Sequence, residues 1–120
     1  MATSKNSLKE RLGRFRQITI SVIGRKTGRK ISMPVWFVLE GDEIHLLPVA
    51  GWETQWYKNV LKNPAIGISA RGAEGEFRAV PVTDAEEVKA VVEEFREKYG
   101  AGDVKKYYSR LDVAVLVKLE

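Results

Sequence analysis

Runs of β-branched and aromatic residues, separated by glycine-centred turns, dominate the first two thirds of the chain. Gly41-Asp42 is typical of a tight hairpin turn, and the segment 24–30 encloses a second turn. Six such runs, mostly joined by tight turns, favour a small β-barrel or a strongly bent sheet, with an open α+β sheet as the alternative. The predicted strands are 17–24, 31–40, 43–49, 65–70, 76–82 and 111–119.

Apolar residues spaced three and four positions apart predict helices between and after these strands. The clearest helix covers 83–99, where Asp84 is a suitable N-cap and Gly100 ends the apolar stripe. Shorter helices are predicted over 55–62, over 103–110 and in an N-terminal helical segment within residues 1–16. The fold class predicted is therefore mainly β with short helices (α+β), in a single domain covering residues 1–120.

Composition excludes several classes of site. The chain has 120 residues, 44% of them apolar and 30% charged, which suits one globular domain. It has no cysteine and a single histidine, His45, so thiolate zinc sites, cysteine nucleophiles and multi-histidine metal sites are excluded, and we expect no metal. No apolar run reaches the roughly 20 residues of a membrane span, so we expect a cytoplasmic protein that is not an integral membrane protein.

The net charge of +4 is concentrated in the turn from Gly24 to Lys30. Arg25, Lys26, Arg29 and Lys30 place four cations on a backbone whose glycines permit close approach of a ligand. Arginine and lysine bind phosphate and carboxylate, so the turn is a candidate anion site. The alternative is a solvated hairpin tip, which would be favoured if the turn stood alone.

Aromatic residues supply the other candidate chemistry. Trp36 and Phe37 should point to opposite faces of their strand, one into the core and one towards a pocket. The segment 48–59 passes from small residues into a helix and carries three aromatic side chains, which favours a ligand at this loop. Tyr107 and Tyr108 precede the last strand; one of them could donate a proton to a ligand, and packing is an equally good interpretation.

Taken together, these motifs resemble the deazaflavin-dependent nitroreductase family of the flavin and deazaflavin split β-barrel proteins. The resemblance runs from about residue 19 to 119. Its specific parts are the Gly-Arg-Lys-Thr-Gly turn and the helix ending in Asn63-Pro64. It is carried by the segments 23–28, 33–36, 47–51 and 56–64, and by Tyr108-Ser109-Arg110 near the end.

The resemblance implies an FMN-binding split-barrel-like fold and coenzyme F-420 as cofactor. It implies hydride transfer between the deazaflavin and a small organic electron acceptor. From their place just before the last strand, we predict that Tyr107 or Tyr108 is the catalytic residue facing the acceptor, and that only one of the two reaches it. It assigns the cofactor phosphate and tail to Arg25, Lys26, Thr27 and Arg29, and the ring to Met33, Pro34, Val35 and Trp36. It assigns the ring edge to Val49, Ala50 and Gly51, and the closure of the groove to Trp56 and Asn59.

Other functions stay open at this point. The loop before the helix at 55–62 is shorter than is typical of the family and places Glu53 where an anionic cofactor would prefer a cation, so FMN is an alternative cofactor. A non-enzymatic carrier of a deazaflavin or another anionic ligand is a further alternative. We expect no nucleic-acid partner, because the cations are focused on one turn rather than spread over a face. Split barrels often dimerise, so a homodimer is compatible with the sequence.

Overall fold

A computed structural model describes residues 15–70 and 72–119. Most of the predicted N-terminal helix lies outside these residues, and Phe15 and Arg16 form an irregular lead into the first strand. The helices are η1 (Gly51–Glu53, a 3₁₀ turn), α1 (Gln55–Lys62), α2 (Ala85–Tyr99) and α3 (Ala101–Tyr107). The strands are β1 (Gln17–Ile23), β2 (Lys30–Trp36), β3 (Val38–Glu40), β4 (Glu43–Leu46), β5 (Ala65–Ala70), β6 (Ala73–Val82) and β7 (Ala114–Lys118).

The seven strands form one antiparallel sheet in the order β2-β1-β5-β6-β7-β4-β3. The ten-residue strand β6 belongs to both halves of this sheet. Its residues 73–78 pair with β5, and its residues 79–82 pair with β7. The sheet therefore curls into a half-barrel, which confirms the predicted mainly β, split-barrel class.

The prediction of one long strand over 31–40 is wrong, because the chain breaks at Phe37. On either side of this residue lie β2 and β3, the two opposite ends of the strand order. The curled sheet thus brings its two edges together at a single buried residue. This break raises the strand count from the predicted six to seven.

Two layers of apolar side chains fill the domain. Inside the curl, alternate residues of β1 and β5 are buried, including Ile20 and Ile68. Outside it, the predicted stripe of α2 packs on the sheet, with Phe95 fully buried. The Asp84 carboxylate accepts a hydrogen bond from the Glu87 backbone N–H at 3.0 Å, as the predicted N-cap requires.

Several element ends differ from the sequence prediction for tertiary reasons. The third predicted strand ends at Leu46, because the chain then leaves the sheet to line a cavity. The strand predicted over 76–82 starts at Ala73, since Ala73 already pairs with Ala70 across a tight turn. The last strand and the last helix are shorter or shifted, at 114–118 and 101–107. Within the described segments, no helix is long and apolar enough to cross a membrane.

Candidate functional site

A cavity of about 440 Å³ opens beside the break between β2 and β3. The first residue of β1, the end of β2, the loop after β4, α1 and α3 all contribute to its walls. Seven of its ten lining residues belong to the set expected from the sequence. The lining residues are Gln17, Pro34, Val35, Trp36, Leu47, Val49, Trp56, Asp103, Tyr107 and Tyr108.

Trp36 forms an aromatic wall of this cavity and is held from behind. Its indole stacks on the Tyr99 ring with centroids 4.2 Å apart and planes 7° apart, and the Tyr107 ring meets it edge-on at 5.5 Å. Phe37, the next residue, is fully buried in the core. The prediction that Trp36 and Phe37 diverge, one to a pocket and one to the core, is confirmed.

The backbone of Phe37 lies between two strand edges and finds its partners on α2. The Tyr99 hydroxyl accepts a hydrogen bond from the Phe37 N–H at 3.1 Å and lies 2.8 Å from the Phe37 carbonyl oxygen. Lys98 Nζ donates to the same carbonyl at 2.8 Å. Burial raises the pKa of Tyr99 to about 12 and, with the charge of Arg16, lowers the pKa of Lys98 to about 8. These bonds fix the strand junction, and with it the position of Trp36.

Tyr107 and Tyr108 both line the cavity, and which of the two reaches a bound acceptor stays a prediction. Tyr107 ends α3 and is half exposed, whereas Tyr108 follows in extended backbone and is 7% exposed. The change from helix to extended backbone turns both rings to the same side. Burial raises the pKa of Tyr108 far above its ordinary value, so its phenol stays protonated. Within the described part of the chain, neither hydroxyl has a hydrogen-bond partner, which leaves both free to donate to a ligand.

The loop after β4 is strapped to the segment after α3. The Val49 carbonyl accepts a hydrogen bond from the Ser109 backbone N–H at 2.9 Å, which holds Val49 at the cavity. Ala50 and Gly51 were expected at the ring edge, but they do not line the cavity. Gly51 has φ +60°, and a Cβ there would lie 2.2 Å from a carboxylate oxygen of Asp112. Glycine is therefore required at this position by the packing of the loop itself.

The basic turn is ordered by its own backbone. The N–H of Gly24 donates to the carbonyl of Arg29 at 2.8 Å, and the N–H of Gly28 donates to the carbonyl of Gly24 at 2.9 Å. Thr27 Oγ1 accepts a hydrogen bond from the Arg29 N–H at 3.2 Å, so Thr27 stabilises the turn. The side chains of Lys26, Arg29 and Lys30 are exposed.

Arg25 differs from the other three cations because its side chain is bound to α1. Its guanidinium donates to Asn59 Oδ1 and to Gln55 Oε1, both at 2.8 Å, and its backbone N–H also donates to Asn59 Oδ1 at 3.1 Å. Asn59 is 5% exposed and does not line the cavity. Asn59 was expected to close the groove, but it accepts hydrogen bonds from Arg25 instead. The two residues thereby anchor the turn to α1. Met33 likewise packs against the core rather than lining the cavity.

The cavity and the turn are neighbours along two elements. Strand β2 runs from Lys30 at the turn to Pro34 in the cavity wall, four residues or about 13 Å away at ~3.3 Å per residue. Helix α1 carries Trp56 in the cavity wall and, next to it, Gln55, which binds Arg25. A ligand with a flat apolar end and an anionic end can therefore occupy both places at once.

Three lining residues were missed by sequence reasoning: Gln17, Leu47 and Asp103. Gln17 pairs with Trp36 across the β1–β2 ladder, so the hairpin register could have placed it there. Leu47 precedes the small-residue loop, where strand alternation alone predicted another strand position. Asp103 had no sequence signal, because only the packing of α3 brings it to the cavity.

His45 lies away from the cavity and is buried. Its Nδ1 lies 2.5 Å from a Glu94 carboxylate oxygen, and its Nε2 lies 2.8 Å from one of Glu43. Burial lowers the pKa of His45, but the two carboxylates outweigh that effect, so the net pKa is raised. This cluster fastens α2 to β4 and has a structural role.

Comparison with known proteins identifies one protein family and several similar structures. Residues 2–120 match the family model of the F420H2-dependent quinone reductases. An F420-H2 dependent reductase (FDR-A) has a similar structure, with a TM-score of 0.68 and 20% identity over 86% of this chain and 94% of that one. A domain-swapped dimer has a TM-score of 0.67 and 19% identity over 96% and 93% of the two chains.

The same fold also occurs in HutZ, a heme storage protein from Vibrio cholerae, with a TM-score of 0.66 and 15% identity over 99% of this chain and 92% of that one. At these identities the structural neighbours show the fold, and the family match carries the information on activity. No curated protein matches the sequence.

Proposed function

Because the chain belongs to the F420H2-dependent quinone reductase family, we propose that it reduces a small quinone-like acceptor with coenzyme F-420. The observation that carries the proposal is the pairing of an apolar, aromatic cavity with a cationic turn about 13 Å along β2. A deazaflavin has a flat ring at one end and a phosphate with an anionic tail at the other. The two regions of the protein match these two ends.

The residues present fit this cofactor. Trp36, Pro34 and Val35 offer an apolar wall for the ring, and Trp56 closes the cavity from the side of α1. The exposed cations Lys26 and Arg29 would hold the phosphate, since the side chain of Arg25 is already bound to α1. The assignment thus moves from all the predicted cations to those that are free to bind a ligand.

When bound in its reduced form, the deazaflavin supplies a hydride to the acceptor. The protein's own part is to exclude water, orient the ring and provide a proton. The walls of the cavity leave little polar surface near a bound ring apart from the phenols and the polar side chains of Gln17 and Asp103. Tyr107 or Tyr108 can donate a hydrogen bond to the acceptor oxygen as negative charge develops on it, or pass it a proton.

The family match is what favours F-420 over the FMN alternative, so the test compares the two cofactors directly. Purified protein is titrated with each cofactor, and reduced F-420 is then mixed anaerobically with 2-methyl-1,4-naphthoquinone. We expect binding of F-420 and protein-dependent oxidation of the reduced cofactor. Tight binding without turnover would support the carrier alternative, and absence of both binding and turnover would overturn the proposal.

A homodimer also remains a prediction for this chain. One structural neighbour is a domain-swapped dimer. Light scattering during size-exclusion chromatography, with and without F-420, measures the mass directly. A mass of about twice the 13.5 kDa of one chain would support dimerisation.

A further inference from the structure

Asp103 gives the cavity an uneven charge. Among the described residues that line the cavity, Asp103 is the one with a formal charge; the others are apolar, aromatic or amide side chains. Asp103 and Tyr107 are four residues apart on α3 and therefore share a face of that helix. The carboxylate thus lies on the same side of the cavity as Tyr107, one of the two phenols proposed to face the acceptor.

The cations near this end of the cavity contact other groups and do not line it. Arg16 Cζ lies 5.0 Å from the Tyr99 ring centroid. Lys106 Nζ lies 5.3 Å from the Tyr107 ring centroid without lining the cavity, and Lys98 Nζ donates to the Phe37 carbonyl at 2.8 Å. The exposed cations of the basic turn lie at the other end of β2. The groove therefore carries positive charge where the cofactor phosphate is expected and negative charge where the acceptor is expected.

We propose that Asp103 is a specificity-determining residue, which makes the cavity select neutral or cationic acceptors over anionic ones. The inference rests on the proposed quinone-reductase function and names the class of acceptor within it. Two unit charges about 6 Å apart, in a partly solvated site with an effective dielectric of about 40–80, alter affinity by about threefold to tenfold. Because Asp103 is exposed at the rim, the effect falls as salt is added.

The test uses a neutral and an anionic probe of the same ring system. Affinities of 2-methyl-1,4-naphthoquinone and 1,4-naphthoquinone-2-sulfonate are measured by quenching of tryptophan fluorescence, since Trp36 and Trp56 line the cavity. Measurements are made with and without oxidised F-420. Turnover ratios for the two probes follow as a second readout.

The quantity compared is the ratio of the sulfonate Kd to the neutral-quinone Kd. We expect this ratio to be about threefold to tenfold higher for wild-type protein than for Asp103→Asn protein. In Asp103→Asn the sulfonate should gain affinity by that factor, while the neutral quinone changes by less than about twofold. Glu86→Gln removes the same charge at the far end of α2, about 20 Å along the helix from Tyr99, and should leave the ratio unchanged.

An unchanged ratio in Asp103→Asn, or an equal change in Glu86→Gln, would overturn the inference. Because the ratio is measured by binding, it stands whether or not the protein turns the quinones over. Failure of turnover with every acceptor would instead count against the proposed function.

Discussion

The two ends of β2 are built in different ways. At the Lys30 end, a turn held by its own backbone hydrogen bonds presents exposed cations; within residues 15–70 and 72–119, Arg25 is the one of its cations whose side chain is hydrogen-bonded to α1. At the Trp36 end, the Trp36 indole stacks on the Tyr99 ring, which in turn contacts the ring of the fully buried Phe95. Substitution of the exposed cations of the turn should therefore change ligand binding with little effect on stability. The side chains of the cavity wall, in contrast, pack directly on the folded core.

The largest expected effect is on stability at the cavity end. Phe95→Ala should lower the free energy of unfolding by about 3–5 kcal/mol, because Phe95 is fully buried and supports the rings of Tyr99 and Tyr108. Chemical denaturation measures the change. Leu61→Ala, at a 55% exposed position on α1, is the control and should change stability by less than about 0.5 kcal/mol. A Phe95→Ala protein as stable as wild type would contradict the conclusion that the cavity wall is packed on the folded core.

The two cavity tyrosines should differ in catalysis. Each tyrosine is replaced by phenylalanine in turn. For the one that donates to the acceptor, the replacement should lower turnover by about 10–100-fold and leave cofactor affinity unchanged. Steady-state kinetics with a quinone, alongside F-420 titration, separates the two effects. Normal turnover in both variants would mean that the two rings serve packing alone.

The cations of the turn should separate into two kinds. Arg25→Ala removes the charged donor of the hydrogen bonds to Asn59 Oδ1 and Gln55 Oε1, although the backbone N–H still reaches Asn59, and should cost about 1–3 kcal/mol of stability. Lys26→Ala with Arg29→Ala should leave the melting temperature unchanged and weaken F-420 binding by about tenfold or more. This replaces the simpler expectation that Arg25 and Lys26 act alike. Equal effects of the two variants on stability would show that the turn is not divided in this way.

The smallest effect concerns the pH dependence of stability. The pKa of His45 is raised in the folded state, so the protonated form contributes stability that is fully present below about pH 6.5 and is lost as pH rises through the raised value. The stability difference between wild type and His45→Gln should therefore shrink at alkaline pH. Denaturation at several pH values measures it, with Glu94→Gln as a second variant that should show the same loss. A constant difference across this range would mean that His45 is not charged in the fold.

Sequence patterns predicted correctly those features of the fold that are determined by interactions between neighbouring residues. The apolar stripe and Asp84 cap of α2, and the glycine turn at 24–30, need only neighbouring residues to be recognised. Strand alternation predicted the opposite directions of Trp36 and Phe37, and they hold although β2 ends at Trp36.

The failures are all long-range. The break at Phe37 has no glycine or proline to mark it; it arises because the sheet curls and Tyr99, 62 positions later in the chain, supplies its hydrogen bonds. Asp103 reaches the cavity only through the packing of α3. The role of Arg25 depends on Asn59, 34 positions away. Each of these requires the tertiary structure.

The most direct test of the central claim is a crystal structure of the protein with oxidised F-420. The account predicts the deazaflavin ring against Trp36 and Pro34 in the cavity, with its phosphate within hydrogen-bond distance of Lys26 or Arg29. Binding of the phosphate beside Trp52, whose ring is flanked by Lys58 and Arg110 at 5.6 and 5.8 Å, would contradict it. So would a ring bound outside the cavity.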